Sequence, residues 1–86
     1  MDFEGAIIRE QGVKFAVVIV KPYVLNARSE ADNAIHAFAP VFGGLPVVLM
    51  AQDGRGRPTF YGRPDITRFM AGVPLGAVRW QRFTVN

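Results

Sequence analysis

The chain has 86 residues, of which half are hydrophobic and a fifth are charged, and it contains no cysteine. This composition indicates one folded domain, residues 1–86, and it excludes disulfides, a catalytic thiolate and a cysteine-based zinc site. The net charge of +3 is concentrated in residues 51–86, where six arginines outnumber two aspartates, so this part of the chain is a candidate anion-binding surface.

The N-terminal part of the chain predicts two strands. Residues 3–10 mix apolar and charged side chains, which indicates a strand exposed on one side, and Gln11-Gly12 forms a short connection. Residues 13–20 are almost continuously apolar, as is typical of a strand buried on both faces. This run is far shorter than the ~20 residues of a membrane span. The acidic N-terminus does not resemble a secretory signal, so we expect a cytoplasmic protein.

A helix and a second apolar strand follow in the sequence. Ser29 is placed to cap the first helix, and Pro40 should end or kink it near residue 39. The apolar stripe at helical spacing consists of Ala31, Ala34, Ile35, Phe38, Val41 and Phe42. Residues 45–51 form the second apolar strand. We expect strands 13–20 and 45–51 to be parallel neighbours or near-neighbours in the sheet interior, because a helix between two such strands makes a right-handed crossover.

The stretch QDGRGRPTFYGRPD, residues 52–65, connects that strand to a second helix. Asp53-Gly54 is a strong hairpin signal, and Pro58 suits an edge strand, where its missing N–H costs nothing. Pro64, followed by an aspartate, fits the first turn of the second helix. The pattern therefore predicts a hairpin that leads into a helix.

A last strand is predicted at residues 77–85, which completes the order ββαββαβ. The expected fold is a two-layer α+β sandwich, a mixed β-sheet with two helices packed on it. Residues 13–85 alone have the βαββαβ order of a ferredoxin-like fold. Residues 45–72, an apolar strand with an early proline, a hairpin and a closing helix, resemble the C-terminal half of a thioredoxin-like domain. Because the redox cysteines are absent, this resemblance implies no redox activity.

Four arginines in the second half are candidate contacts for an anion or for single-stranded nucleic acid, namely Arg55, Arg57, Arg63 and Arg68. A phosphate-binding GxGxxG motif is excluded, because the third glycine would have to be residue 59, which is threonine. The alternative is a solvated hairpin whose arginines are surface charge. We favour this alternative because the glycines and prolines of the stretch each have a structural role.

Three aromatic residues are candidate interaction residues: Trp80 and Phe83 of the last strand, and Tyr61 next to the arginine stretch. Trp and Arg are frequent anchors in interfaces. If the last strand is an edge, we expect Trp80 or Phe83 to be partly exposed there. A homodimer or an unoccupied apolar patch would then lie at that edge.

The sequence assembles no catalytic constellation. His36 lies one turn after Asp32, but no nucleophile accompanies the pair, and a single histidine with scattered carboxylates is not a metal site. We therefore expect a non-enzymatic binding module without cofactor or metal. Its partner would be another protein or a second copy, bound through an exposed strand. The alternative partner is single-stranded nucleic acid, bound by the arginine-rich second half. We expect no membrane partner.

Overall fold

The chain folds around a five-stranded mixed sheet with two α-helices, in a computed structural model that describes residues 1–10 and 12–85. The strands are β1 (Asp2–Glu10), β2 (Val13–Ile19), β3 (Val47–Gln52), β4 (Pro58–Tyr61) and β5 (Gln81–Thr84). The helices are α1 (Arg28–Phe38) and α2 (Pro64–Met70). Short 3-10 segments cover Pro22–Leu25, Ala39–Phe42 and Leu75–Ala77. The α+β class is confirmed.

The strands lie in the order β4-β3-β2-β1-β5, which places the two apolar strands in the interior. β2 and β3 are parallel neighbours, with Val17 opposite Val48, and α1 connects them. The other three adjacent pairs are antiparallel. The predicted parallel pairing is therefore confirmed. The predicted connection at Gln11 lies outside the described residues.

The two helices cover opposite faces of the sheet. On one face, Ala16 and Val18 of β2 pack in a cluster with Ala31 of α1. On the other face, Phe15 and Val17 pack with α2. Successive strand residues point to opposite faces, so these clusters lie on the two sides of one sheet. The helix–sheet–helix layering corrects the expected two-layer sandwich. β2 and β3 are apolar on both faces, and each face requires its own cover.

Four members of the predicted apolar stripe lie on α1, Val41 and Phe42 lie in the 3-10 turn that follows it, and all six belong to the cluster on this side of the sheet. Pro40 ends the helix as expected, since α1 stops at Phe38 and continues as a 3-10 turn. The predicted cap is wrong. Ala27 occupies the capping position in an extended conformation, without a side-chain hydrogen bond, and Ser29 lies inside the first turn.

The last strand is shorter than predicted. A 3-10 turn occupies Leu75–Ala77, and β5 begins only at Gln81, so Trp80 precedes the strand. The indole Nε1 of Trp80 donates a hydrogen bond to the carbonyl oxygen of Leu75 at 3.2 Å. This bond closes the turn and fixes the tryptophan beside it. Within residues 1–10 and 12–85, no helix is long and apolar enough to cross a membrane.

Gly5 is required in β1 by close contact with the neighbouring strand. A Cβ atom added at Gly5 would lie 2.7 Å from the carbonyl oxygen of Val17 and in contact with the rings of Phe3 and Phe83. We therefore expect Gly5→Ala to lower the free energy of unfolding by about 1–3 kcal/mol, the usual cost of overpacking. Urea unfolding would measure this. Gly54→Ala is the control, because no atom lies within 4 Å of its added Cβ. Equal stability of the two variants would contradict the proposed steric role of Gly5.

Candidate interaction surface

The arginine hairpin is organised by one carboxylate. Asp53 Oδ1 accepts hydrogen bonds from the backbone N–H groups of Arg55 and Arg57 at 2.8 and 2.9 Å. The Nε atom of Arg57 lies 3.4 Å from Asp53 Oδ2. Gly56, rather than Gly54, has the positive φ of 80°, as expected in a three-residue hairpin with a bulge. Asp53 therefore satisfies the donors that would otherwise be free to bind an anion, and Arg55 and Arg57 extend from the tip as exposed side chains.

Arg63 is paired with a carboxylate at the start of α2. Its Nε and Nη2 atoms donate to the two carboxylate oxygens of Asp65 at 2.8 and 2.7 Å. This bidentate hydrogen bonding lowers the pKa of Asp65 to about 2 and raises the pKa of Arg63. Because the guanidinium is already occupied by Asp65, Arg63 is a weak candidate for phosphate binding.

The candidate arginines lie in separate places. Arg55 and Arg57 are at the hairpin tip, whereas Arg63 follows the far end of β4, and a four-residue strand spans roughly 13 Å. Arg68 lies on the exposed part of α2, which covers the other side of the sheet from α1. The structure does not bring the four together on one surface.

Tyr61 joins the edge strand β4 to α1. Its hydroxyl donates a hydrogen bond of 2.8 Å to Asp32 Oδ1, and this bond raises the pKa of the phenol. The ring is partly buried and packs against the cluster on the α1 side. Tyr61 therefore has a structural partner, and Asp32 is occupied by it. His36 remains exposed on α1.

Trp80 and Phe83 are both partly buried, on opposite faces of the sheet. Trp80 packs with the cluster under α2. The Phe83 ring stacks on Phe3, with centroids 5.3 Å apart and planes 13° apart, and meets Phe42 edge-on at 5.1 Å. Tyr61 and Phe83 both lie on edge strands and are partly exposed, but Tyr61 is hydrogen-bonded to Asp32, so Phe83 is the better candidate for contact with a partner.

Along the outer edge of β5 two residues turn their backbone groups away from the sheet, and no other strand of the described residues pairs with that edge. Met1 and Val85 exchange two hydrogen bonds of 2.8 Å. This pair shows which residue pairs of the antiparallel ladder between β1 and β5 are hydrogen-bonded and which are not. In such a ladder every second pair is hydrogen-bonded, so Phe83 bonds to β1 and the N–H and C=O groups of Arg82 and Thr84 point away from it. Both residues are exposed. The four-residue strand thus presents two outward donors and two outward acceptors.

The opposite edge, β4, is less open. Its first residue is Pro58, which has no N–H, and the ladder with β3 leaves Phe60 as the other outward-facing residue. Proline at this position blocks the pairing of a further strand. β5 has no such block. The sequence did not reveal this difference, because the side-chain pattern shows which residues share a face and does not show which amides point outward.

No protein-family model, curated protein sequence or solved structure matches this chain. Among the residues the structure describes, no group of three or more His, Asp or Glu side chains is arranged to hold a metal ion. A functional proposal must therefore be argued from the residues of this chain alone. The outer edge of β5 is the strongest candidate for an interaction surface.

The pair formed by Arg63 and Asp65 predicts a pH dependence. The pKa of Asp65 is about 2 in the folded chain and 3.8 ordinarily, so the pair contributes stability above pH 3.8 that is lost as the pH falls toward 2. In Arg63→Gln the carboxyl titration midpoint of Asp65 should rise towards its ordinary value, and the loss of stability over this window should become smaller. Carboxyl NMR titration with acid unfolding measures both. An unchanged midpoint would mean that the pair does not form in solution.

The scattered arginines predict weak nucleic-acid binding. We expect the parent and a triple Arg→Gln variant at positions 55, 57 and 63 to bind single-stranded RNA equally weakly. Fluorescence anisotropy with a labelled oligonucleotide would measure this across a salt series. Phosphate contacts would give the parent a log–log salt slope of roughly −0.7 per phosphate neutralised. Tight parental binding that collapses in the variant would favour the nucleic-acid function instead.

Proposed function

We propose that this chain is a non-enzymatic binding module that takes up an extended protein segment by strand addition at the outer edge of β5. The observation that carries the proposal is the pair of outward-facing backbone residues, Arg82 and Thr84, on an exposed edge strand. Strand addition derives its affinity from backbone hydrogen bonds and its specificity from alternate side chains. Cytoplasmic location stays a prediction from the sequence.

The side chains around the edge indicate which segment fits. Arg82 and Thr84 lie on the α2 side of the sheet, and Phe83 lies on the α1 side. A segment paired with β5 would place alternate residues beside Arg82 and Thr84, and the residue between them beside Phe83. Acidic residues suit the first two positions because Arg82 is cationic, and an apolar residue suits the third because the ring is partly exposed.

The nucleic-acid alternative has less support. The arginines at the hairpin, at the start of α2 and on α2 are spread over the molecule, and two of them are held by aspartates. Tyr61 and Trp80, which would have to stack on bases, are partly buried and hydrogen-bonded. A protein segment therefore fits the exposed features better than a nucleic acid.

The test is an NMR titration with a capped hexapeptide of sequence Thr-Glu-Val-Glu-Val-Thr. Binding should protect the amides of Arg82 and Thr84 from hydrogen exchange, while the amide of Phe83, already bonded to β1, is protected without peptide. The same peptide with lysine in place of glutamate should bind more weakly, because the lysine would lie beside the cationic Arg82. Protection that appears elsewhere, or no binding at all, would contradict the proposal.

Thr84→Pro isolates the backbone contribution. The substitution removes an outward N–H and leaves the ladder with β1 intact, and a hydrogen bond contributes about 1 kcal/mol, so peptide affinity should fall at least ~5-fold. Thr84→Val is the matched control, because it keeps the N–H and a similar shape. If both variants bind the peptide as tightly as the parent, the edge is not the binding surface.

A further inference from the structure

We propose that the segment bound at the β5 edge is β5 of a second copy of this chain, in an antiparallel pair centred on Phe83. This inference rests on the proposed function and names its partner. Two identical sheets would then join through a twofold axis into one ten-stranded sheet. Isologous pairing of this kind is the commonest way in which identical chains associate.

The positions of the free backbone groups select the register. The outward-facing residues, Arg82 and Thr84, are separated by one residue. When Phe83 lies on the twofold axis, Arg82 of each copy is opposite Thr84 of the other. Each of these two pairs exchanges both of its N–H···O=C bonds, as in any hydrogen-bonded antiparallel pair. All four outward donors and acceptors on each strand are then satisfied. If the register shifted by one residue, the outward N–H and C=O groups of Arg82 and Thr84 would lie opposite residues whose backbone groups already bond to β1.

The side chains on the α1 side fit this register. Phe83 would face Phe83 of the second copy in a pair without backbone hydrogen bonds, where the Cα atoms are only about 4.5 Å apart. In the single chain one side of the ring already stacks on Phe3, and the residue as a whole is only partly buried. The second copy would cover the accessible part of the residue. Aromatic pairs directly opposite each other are among the favourable cross-strand contacts.

On the α2 side, carboxylates flank the arginines across the junction. Within one chain Glu4 lies opposite Arg82, and Asp2 lies opposite Thr84. In the proposed register, the row across the junction runs Glu4, Arg82, Thr84 of the second copy and Asp2 of the second copy. Arg82 therefore has a carboxylate beside it in its own chain and another two strands away, roughly 10 Å across. The two Arg82 side chains are diagonal neighbours, and four carboxylates surround them, so the junction is not repulsive overall.

The test uses the absence of cysteine from the chain, which makes any introduced thiol unique. Arg82→Cys and Thr84→Cys chains are mixed in equal amounts and equilibrated in a glutathione redox buffer at high concentration. The proposed register places these two positions opposite each other, about 5.5 Å apart at Cα. Each position is more than ~7 Å from its own copy, too far for a disulfide. Intact mass separates the mixed disulfide from the two symmetric ones.

The mixed disulfide should make up clearly more than one half of all disulfide-linked dimers, which is the share that random pairing gives. An Arg55→Cys chain mixed with Arg82→Cys is the control, because the hairpin tip is remote from β5, and it should give random pairing only. Sedimentation of the unmodified parent should show a dimer at high concentration, weakened at least several-fold in Thr84→Pro and unchanged in Thr84→Val.

The outcomes separate the inference from the proposed function. A monomeric parent with random disulfide pairing, together with hexapeptide binding at Arg82 and Thr84, would overturn the second copy as partner and leave strand addition standing. Random pairing without peptide binding would overturn both. A dimer with excess symmetric disulfides would show association in a different register, and the inference would be wrong.

Discussion

β2 and β3 carry apolar side chains on both faces, and the rest of the fold follows from the need to cover them. Val17, Val18, Val48 and Leu49 are fully buried although they alternate between the two sides of the sheet. Exposing either side would cost about 25 cal/mol for each Å² of apolar surface. One helix cannot cover both sides. α1 therefore packs on one side and α2 on the other.

This constraint explains which parts of the fold were predictable. Continuous apolar runs marked the two central strands, and the spacing of alanines and phenylalanines marked α1, so the parallel pair and its crossover followed directly. The layering did not follow, because an apolar run shows that both faces are buried and leaves open which helix covers which face. Ser29 was misassigned because capping requires the residue before the first turn, and α1 begins one residue before Ser29.

The arginine stretch shows how far a local pattern can carry a functional prediction. Its glycines and prolines indicated a hairpin and a helix start, and both are present. The sequence could not show that Asp53 turns back to hold the amides of Arg55 and Arg57, or that Asp65 occupies Arg63. Asp53 and Asp65, which lie two to four positions away from these arginines, accept the hydrogen bonds that an anion would otherwise accept. The exposed charge that remains is spread over both ends of β4.

The two edges of the sheet differ in how they treat a further strand. β4 begins with Pro58 and connects tightly to α2, so its outer side offers few donors. β5 is just as short, yet it keeps both outward N–H groups and is bonded through Met1 and Val85 at its end. Edge strands of soluble proteins are usually blocked by proline, bulges or inward charges, since open ones aggregate. An open edge next to a partly exposed phenylalanine, in a chain that blocks its other edge, therefore supports the proposal that a partner pairs with β5.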